Sequence, residues 1–266
     1  MGLATSTTSF ECTIGDGLAH IMLNQPDRGN PIDGEFCRAF SLCMAELSER
    51  ADARAVLISA RGRLFSVGGD LMSLVQQGDA LPRTIKAWTA DLHAAIARMV
   101  RMRAPVVVAV HGNVAGGSVS LMAAADLVVM AETARISSAF ARIGFSPDSG
   151  STTTLTRRIG VARARRFFLL GETLDANTAL SLGLVDHVVP DNAVQDEAQR
   201  IARELAAGPT EAYGAIKRLF SETLDRSLES QLEQEAQTLA AISRTADARE
   251  GVKAFVEKRK PAFLGM

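Results

Sequence analysis

Short apolar runs alternate with helically spaced apolar positions up to about residue 160, and helical spacing alone governs the rest of the chain. "FECTI" and "LAHIMLN" read as two strands joined by the Gly15-Asp16-Gly17 turn, a hairpin signal. Residues 33–50 place Phe36, Phe40, Cys43, Met44 and Leu47 on one helical face, with Asp33 positioned to cap it. "AVLISA" (55–60), "VVVAV" (106–110) and "LVVMA" (127–131) are short, apolar and rich in β-branched residues, the pattern of strands covered on both faces. Helical patterns lie between them at about 82–102 and 118–125. Such alternation predicts an α/β fold with right-handed crossovers.

From about residue 161 the segments 161–170, 175–182, 191–207, 211–224, 228–243 and 246–258 all read as helices, punctuated by Gly171, Gly183, Gly208-Pro209 and Pro261. The organisation expected is an α/β core over 1–200 and a C-terminal helical portion over 201–266. The last helices carry Leu228, Leu232, Leu239, Ile242 and Phe255. A peripheral unit this apolar is expected to pack on another subunit as well as on its own core. No tandem repeat of short period and no low-complexity segment is visible.

Composition narrows the function classes. The 266 residues are 47% hydrophobic and 22% charged, with a net charge of −1 and no basic run. No nucleic-acid partner and no anionic membrane surface is expected. Cys12, Cys37 and Cys43 form no CxxC and accompany no histidine pair, so free thiols in a reducing compartment are expected, with no disulfide framework and no metal site. The start "MGLATSTTSF" has neither the basic nor the apolar region of a secretory signal, although it fits the M-G-x-x-x-S acylation pattern. No run spans a bilayer. The expected location is cytoplasmic.

Two glycine-rich stretches follow strands and open helices: "FSVGGDL" (65–71) and "HGNVAGGSVSLMAAADL" (111–127). Glycine lets backbone N–H groups face a ligand without an intervening Cβ, and a helix N-terminus adds partial positive charge. Two such donors aimed at one point make an oxyanion hole. The same glycines also suit plain strand-to-helix turns. Neither stretch is a P-loop or GxGxxG, and "GGSVS" misses the nucleophile elbow because Ser120 stands in the last glycine position.

Asp148, in "RIGFSPDSG", stands before the helical pattern "STTTLTRRIG" and reads either as an N-cap or as a reactive carboxylate. Asp70 and Asp126 read as a cap and a strand-end residue. His111 and His187 read as structural. His93 sits on the apolar-rich helix 82–102.

Taken together, "NQPDRGNPID", "FSVGGD", "PVVVAVHGNVAGGSVSLMAAADLVV", "ARRFFLLGETLDANTALSLGLVDHVVP" and "EGVKAFVEKRKPAF" resemble the crotonase superfamily, the enoyl-CoA hydratase/isomerase family, in order and over nearly the whole chain. The resemblance implies a spiral of ββα units with a C-terminal helical trimerisation portion, assembled as a homotrimer or a dimer of trimers. It implies an acyl-CoA thioester as ligand, with coenzyme A part of the substrate and no metal or other cofactor. The thioester oxygen would be held by the N–H groups of Gly69 and Gly117. The coenzyme-binding loops map onto Arg28, onto Ser66, Val67, Asp70 and Leu71, and onto Lys258, which would serve a neighbouring subunit.

The two glutamates that activate water in the family's hydratases would fall at Ser120 and Phe140, neither of them acidic. "AFARIGFSPDSG" instead resembles the isomerases of phenylacetate degradation and related enoyl-CoA isomerases, where an aspartate at the place of Asp148 shuttles a proton. The function expected is therefore an enoyl-CoA isomerase. Two alternatives stand beside it. One is an aromatic acyl-CoA dehalogenase with Asp148 as nucleophile and His93 as its partner. The other is an inactive acyl-CoA-binding homologue. Segment 72–92 is expected to cover the acyl pocket, with Trp88 and Leu92 lining it. Phe140 and Phe145 read equally as pocket lining or as plain core.

Overall fold

A computed structural model describes residues 4–266, so the first three residues of the M-G-x-x-x-S pattern lie outside the described part. The chain builds a seven-stranded sheet in the order Ala4–Ser6, Phe10–Gly15, Leu18–Leu23, Ala55–Ala60, Val106–Val110, Leu127–Ala131, His187–Val189. The first three strands run antiparallel, and every pairing from Leu18–Leu23 onward is parallel. The predicted hairpin turns through Asp16 and Gly17, both left-handed (φ 51° and 79°), as a tight two-residue connection requires.

The strands Ala55–Ala60 and Val106–Val110 are buried along their whole length, because both faces are covered. Phe36 and Phe40 of the helix Gly34–Glu49 meet the ring of Phe10 edge-on at 6.1 and 6.2 Å. The helix Val194–Ala206 packs across the three central strands through Val194, Ala198, Ile201 and Ala202. Asp33 caps the first helix, accepting the Phe36 N–H at 2.9 Å, as its position in the sequence predicts.

After the inner strands comes a short one: Pro31–Ile32, Gly68–Gly69, Val114–Ala115 and Arg135–Ser137. These pair with one another in parallel, Pro31–Ile32 with Gly68–Gly69 and Val114–Ala115 with Arg135–Ser137, while Ser66 bridges to Val114 between the two pairs. Helices follow, so the chain advances as a spiral of strand, short strand and helix. Three strand-to-helix turns thus stack side by side. The fold is the crotonase-like α/β spiral that the resemblance implies.

Residue 200 falls inside the helix Val194–Ala206, which belongs to the sheet layer; the outer helices begin at Thr210–Glu222. That helix is pinned by Lys217, which donates to the carbonyls of Met99 and Ala104 and pairs with Asp126 at 2.7 Å. Asp126 also accepts the Val106 N–H at 2.7 Å, which makes it the strand-end residue expected. Leu228–Ile242 packs on Thr210–Glu222 and leaves Phe220, Leu224, Leu228, Leu232 and Leu239 exposed. The three cysteines are free and buried. Among the described residues, no helix is long and apolar enough to cross a membrane.

Candidate active site

Gly68 is where two of the stacked turns touch. A Cβ there would lie 2.5 Å from the Ala115 carbonyl oxygen and 3.2 Å from the Gly117 nitrogen, and the residue is left-handed (φ 84°). Only glycine allows this approach. It brings the two glycine turns together, and Gly69 and Gly117 both line the wall of one cavity. In the parallel ladder the Asp70 N–H donates to Ile32 O, so the Gly69 N–H, one residue earlier, points the other way. Gly117 is the first residue of the helix Gly117–Ala123, and its N–H has no partner within the helix.

Asp148 faces the same cavity. A side chain on Gly117 would begin 3.9 Å from Asp148 Oδ1. The cap expectation is overturned. Ser149 (φ 53°) and Gly150 (φ 74°) are both left-handed, and Gly150 occupies the cap position of the helix Ser151–Ile159. The chain therefore turns so that the backbone carbonyl of Asp148, not its carboxyl, meets the helix: it accepts from Ser151 N at 3.0 Å and Ser151 Oγ at 2.8 Å. The carboxyl is left free, with Oδ1 buried and unpartnered. Burial pushes it above the ordinary carboxylate range, against the opposing influence of His93 and the Ser149 hydroxyl.

The cavity holds about 400 Å³. Ile32, Leu74, Trp88, Leu92, Phe140 and Phe145 line it, so segment 72–92 does supply one wall and both phenylalanines are pocket residues. Phe140 is braced edge-on by Phe168 at 6.2 Å. Asp148 is the one carboxylate among the lining residues. Cys37 also lines the cavity, and burial pushes its thiol up to about 12. Sequence reasoning missed Cys37, whose place on the apolar face of the first helix reads as core.

Other predicted residues are placed differently. Ser66 and Ser120 do not face the cavity, and both are buried. Ser66 Oγ donates to Asn30 O at 2.6 Å, accepts from Gly68 N at 3.1 Å and meets Ser118 Oγ, so its hydroxyl holds the loop. Ser120 Oγ donates to the Asp148 carbonyl at 3.2 Å.

At the mouth, Val67 and Leu71 line the cavity and an adjoining depression that includes Arg28 and Asp70. Arg28 pairs with Asp70 at 2.6 Å and Asp33 at 3.1 Å, with nearly half of its side chain exposed. Asp70 also caps the helix Leu71–Val75 through Ser73 N. Burial raises the Asp70 carboxyl, but the bonds from Ser73 and the charge of Arg28 outweigh it and hold the group below its usual range. Its side chain is thus committed to Arg28 and Ser73. Lys258 is exposed and lies away from the cavity of its own chain.

His93 is outside the cavity as well. It is exposed on the far side of the 148–150 turn, where its Nε2 accepts the Ser149 N–H at 3.1 Å. His93 thus lines a separate depression and meets the turn through its backbone, while its charge still bears on the Asp148 carboxyl. Among the described residues, no cluster of three His, Cys, Asp or Glu side chains is placed to hold a metal ion.

Comparisons with known proteins identify the family. The family model described as enoyl-CoA hydratase/isomerase matches residues 13–265. A Rhodobacter capsulatus protein named "Probable enoyl-CoA hydratase" is 36% identical, over 95% of this chain and 96% of its own length. The 1,2-epoxyphenylacetyl-CoA isomerase of Escherichia coli K12 is 34% identical, over 94% and 95%. The trans-2-decenoyl-[acyl-carrier-protein] isomerase of Streptococcus mutans is 31% identical, over 95% and 96%. Among solved structures, an enoyl-CoA hydratase/isomerase from Cupriavidus metallidurans CH34 superposes with a TM-score of 0.89 at 27% identity, covering 98% of each chain. With a family model spanning nearly all of it and relatives matched end to end, the chain belongs to the enoyl-CoA hydratase/isomerase family.

Proposed function

We propose that the protein is an enoyl-CoA isomerase in which Asp148 carries a proton between the carbons alpha and gamma to a thioester carbonyl. The observation that carries this reading is the buried, unpartnered Asp148 carboxyl in an apolar cavity that also presents Gly69 and Gly117. The carboxylate takes the alpha proton of a 3-enoyl thioester, and the electron pair moves through the dienolate onto the thioester oxygen. The N–H groups of Gly69 and Gly117 hold that oxygen; each such donor is typically worth about 3–4 kcal/mol in the transition state. The protonated Asp148 then returns the proton at the gamma carbon, leaving a 2-enoyl thioester.

One base suffices, and an elevated carboxyl pKa makes it a better one. Hydration needs a held, activated water. Ser120 is turned to the backbone and Phe140 is apolar, so the cavity has no second carboxylate to hold it. The E. coli and S. mutans relatives carry isomerase names, which supports the same reading. Coenzyme A enters as part of the substrate. Arg28, Val67 and Leu71 would receive it at the mouth, with Lys258 contributed by a neighbouring subunit of a trimer.

The test is turnover of a 3-enoyl-CoA and its 2-enoyl isomer, read by NMR, with Asp148→Asn alongside. Double-bond migration that disappears in the variant supports the shuttle. Thioester binding without turnover by the parent protein would mark an acyl-CoA-binding homologue instead.

A further inference from the structure

The turn Asp148–Gly150 is a wall one residue thick. On one side Asp148 lines the acyl cavity; on the other, Ser149 lines a separate surface depression of about 420 Å³, bounded by His93, Arg101, Thr154, Arg157 and Asp225. Most polar groups at this wall are accounted for. His93 Nε2 takes the Ser149 N–H, and Arg157 is tied to Ser221 O at 2.6 Å and to Asp225 at 3.9 Å. Three atoms are not. Asp148 Oδ1, Ser149 Oγ and Thr154 Oγ1 are all buried and all lack a hydrogen-bond partner.

Buried hydroxyls without partners are uncommon, because leaving one unsatisfied costs about 1–3 kcal/mol. Ser149 is only 1% exposed, so bulk solvent does not satisfy its hydroxyl directly. That hydroxyl lies close to the Asp148 carboxyl and favours its charged form. Polar groups that the protein itself leaves unpaired are where a bridging water sits. A buried water needs two to four polar partners, and the atoms this wall leaves unpaired are Asp148 Oδ1, Ser149 Oγ and Thr154 Oγ1, the last two on the depression side.

We infer that Ser149 and Thr154 hold a short water relay behind Asp148, through which its carboxyl exchanges its proton with solvent while an acyl group fills the cavity. This rests on the isomerase reading and extends it. Substrate in the apolar cavity would otherwise seal the abstracted proton between carboxyl and dienolate. With the relay, Asp148 passes that proton to the water bridging to Ser149, which passes one on past Thr154 to the depression. A solvent proton returns by the same route before delivery to the gamma carbon. The balance is one proton out and one in, with no net change at the carboxyl. His93, by fixing the Ser149 amide, holds the first relay hydroxyl in place and is a positioning residue.

The test is isomerisation of a 3-enoyl-CoA in heavy water, stopped at low conversion, with deuterium at the product gamma carbon read by mass spectrometry. The parent protein is expected to introduce solvent deuterium. Thr154→Val keeps the side-chain shape and removes the hydroxyl; it should lower the labelled fraction about threefold or more while kcat/KM stays within about twofold. Thr154→Ser should restore the label, and Ser149→Ala should lower it as Thr154→Val does. Labelling unchanged in both Thr154→Val and Ser149→Ala overturns the relay, as does isomerisation by the parent with no solvent label. Absence of isomerisation in the parent sinks the isomerase reading itself, so the two failures are distinct.

Discussion

Ser120 Oγ donates a 3.2 Å hydrogen bond to the backbone carbonyl of Asp148, linking the helix that opens at Gly117 to the turn that carries the carboxylate. Ser120 is fully buried, and this is the bond its hydroxyl donates. It therefore bears on Asp148 through the backbone and is not among the residues that line the cavity. Ser120→Ala removes one neutral hydrogen bond, about 1 kcal/mol, which corresponds to roughly a fivefold loss in kcat if it falls wholly on the aim of the carboxyl. KM should change little. Steady-state kinetics with a 3-enoyl-CoA separates the two, and a change confined to KM would show that Ser120 contacts substrate after all.

Ser120→Glu is the complementary change. It sets a carboxylate in a fully buried position that faces the backbone, with Phe140 still standing where the second glutamate would be. No hydratase activity should appear in this variant. Recovered hydration of a 2-enoyl-CoA would overturn the present account of the pocket.

Asp148→Asn should abolish isomerisation, with a loss of about 10²–10⁴ or more for removal of the only base. The same change has a stability signature with a defined sign. The folded-state pKa of Asp148 lies above its ordinary value because of burial. The native state thus binds more protons than the unfolded chain between the two values, and stability falls as pH rises through that window. Above it the asparagine variant should melt higher than the parent, and the difference should shrink on acidification through it. The parent's kcat/KM should rise with pH across the same elevated pKa as the carboxylate forms. A variant less stable than the parent at neutral pH would contradict the unpartnered carboxyl.

The central strands were legible in the sequence because they are buried on both faces, and a continuous apolar run records that directly. The short strands were not, because two residues such as Pro31–Ile32 or Gly68–Gly69 cannot display a period. Asp148 read from the sequence as both cap-like and, by the resemblance, catalytic. The cap-like part fails because Ser149 and Gly150 turn left-handed, which puts the Asp148 carbonyl and not its carboxyl at the helix end. Ser66, Ser120 and His93 show the same limit: position along the chain was readable, but the direction of each side chain depends on partners distant in sequence, Asn30, Asp148 and Ser149.

Trp88 offers a handle on acyl-chain selectivity through Gly34. A Cβ on Gly34 would fall on the indole of Trp88, nearest its Nε1, so the ring packs closely against the start of the first helix. Gly34→Ala gains about 1 kcal/mol of helix propensity but overpacks this contact, typically at about 1–3 kcal/mol. The ring lines the cavity, so a shift toward it narrows the acyl site. KM for bulky acyl-CoA substrates should rise several-fold, while a short-chain substrate is handled nearly as before. Equal effects on both would place the strain in the helix and not in the cavity.

The outer helices predict association. Phe220, Leu224, Leu228, Leu232 and Leu239 expose between 55% and 72% of their surface, along the helices Thr210–Glu222 and Leu228–Ile242 and the turn between them. So much apolar area at one end of a chain is unfavourable in water, and symmetric self-association is the usual way to cover it. Sedimentation equilibrium should give a mass three or six times that of the chain. Phe220→Asp together with Leu232→Asp should shift it toward monomer without unfolding the sheet, since neither residue reaches the core. The monomeric form should also bind acyl-CoA more weakly, because Lys258 is exposed and away from its own cavity and would be supplied from a neighbour. A parent protein that sediments as a monomer would end both parts of this argument. A monomeric variant with full affinity would end the second alone.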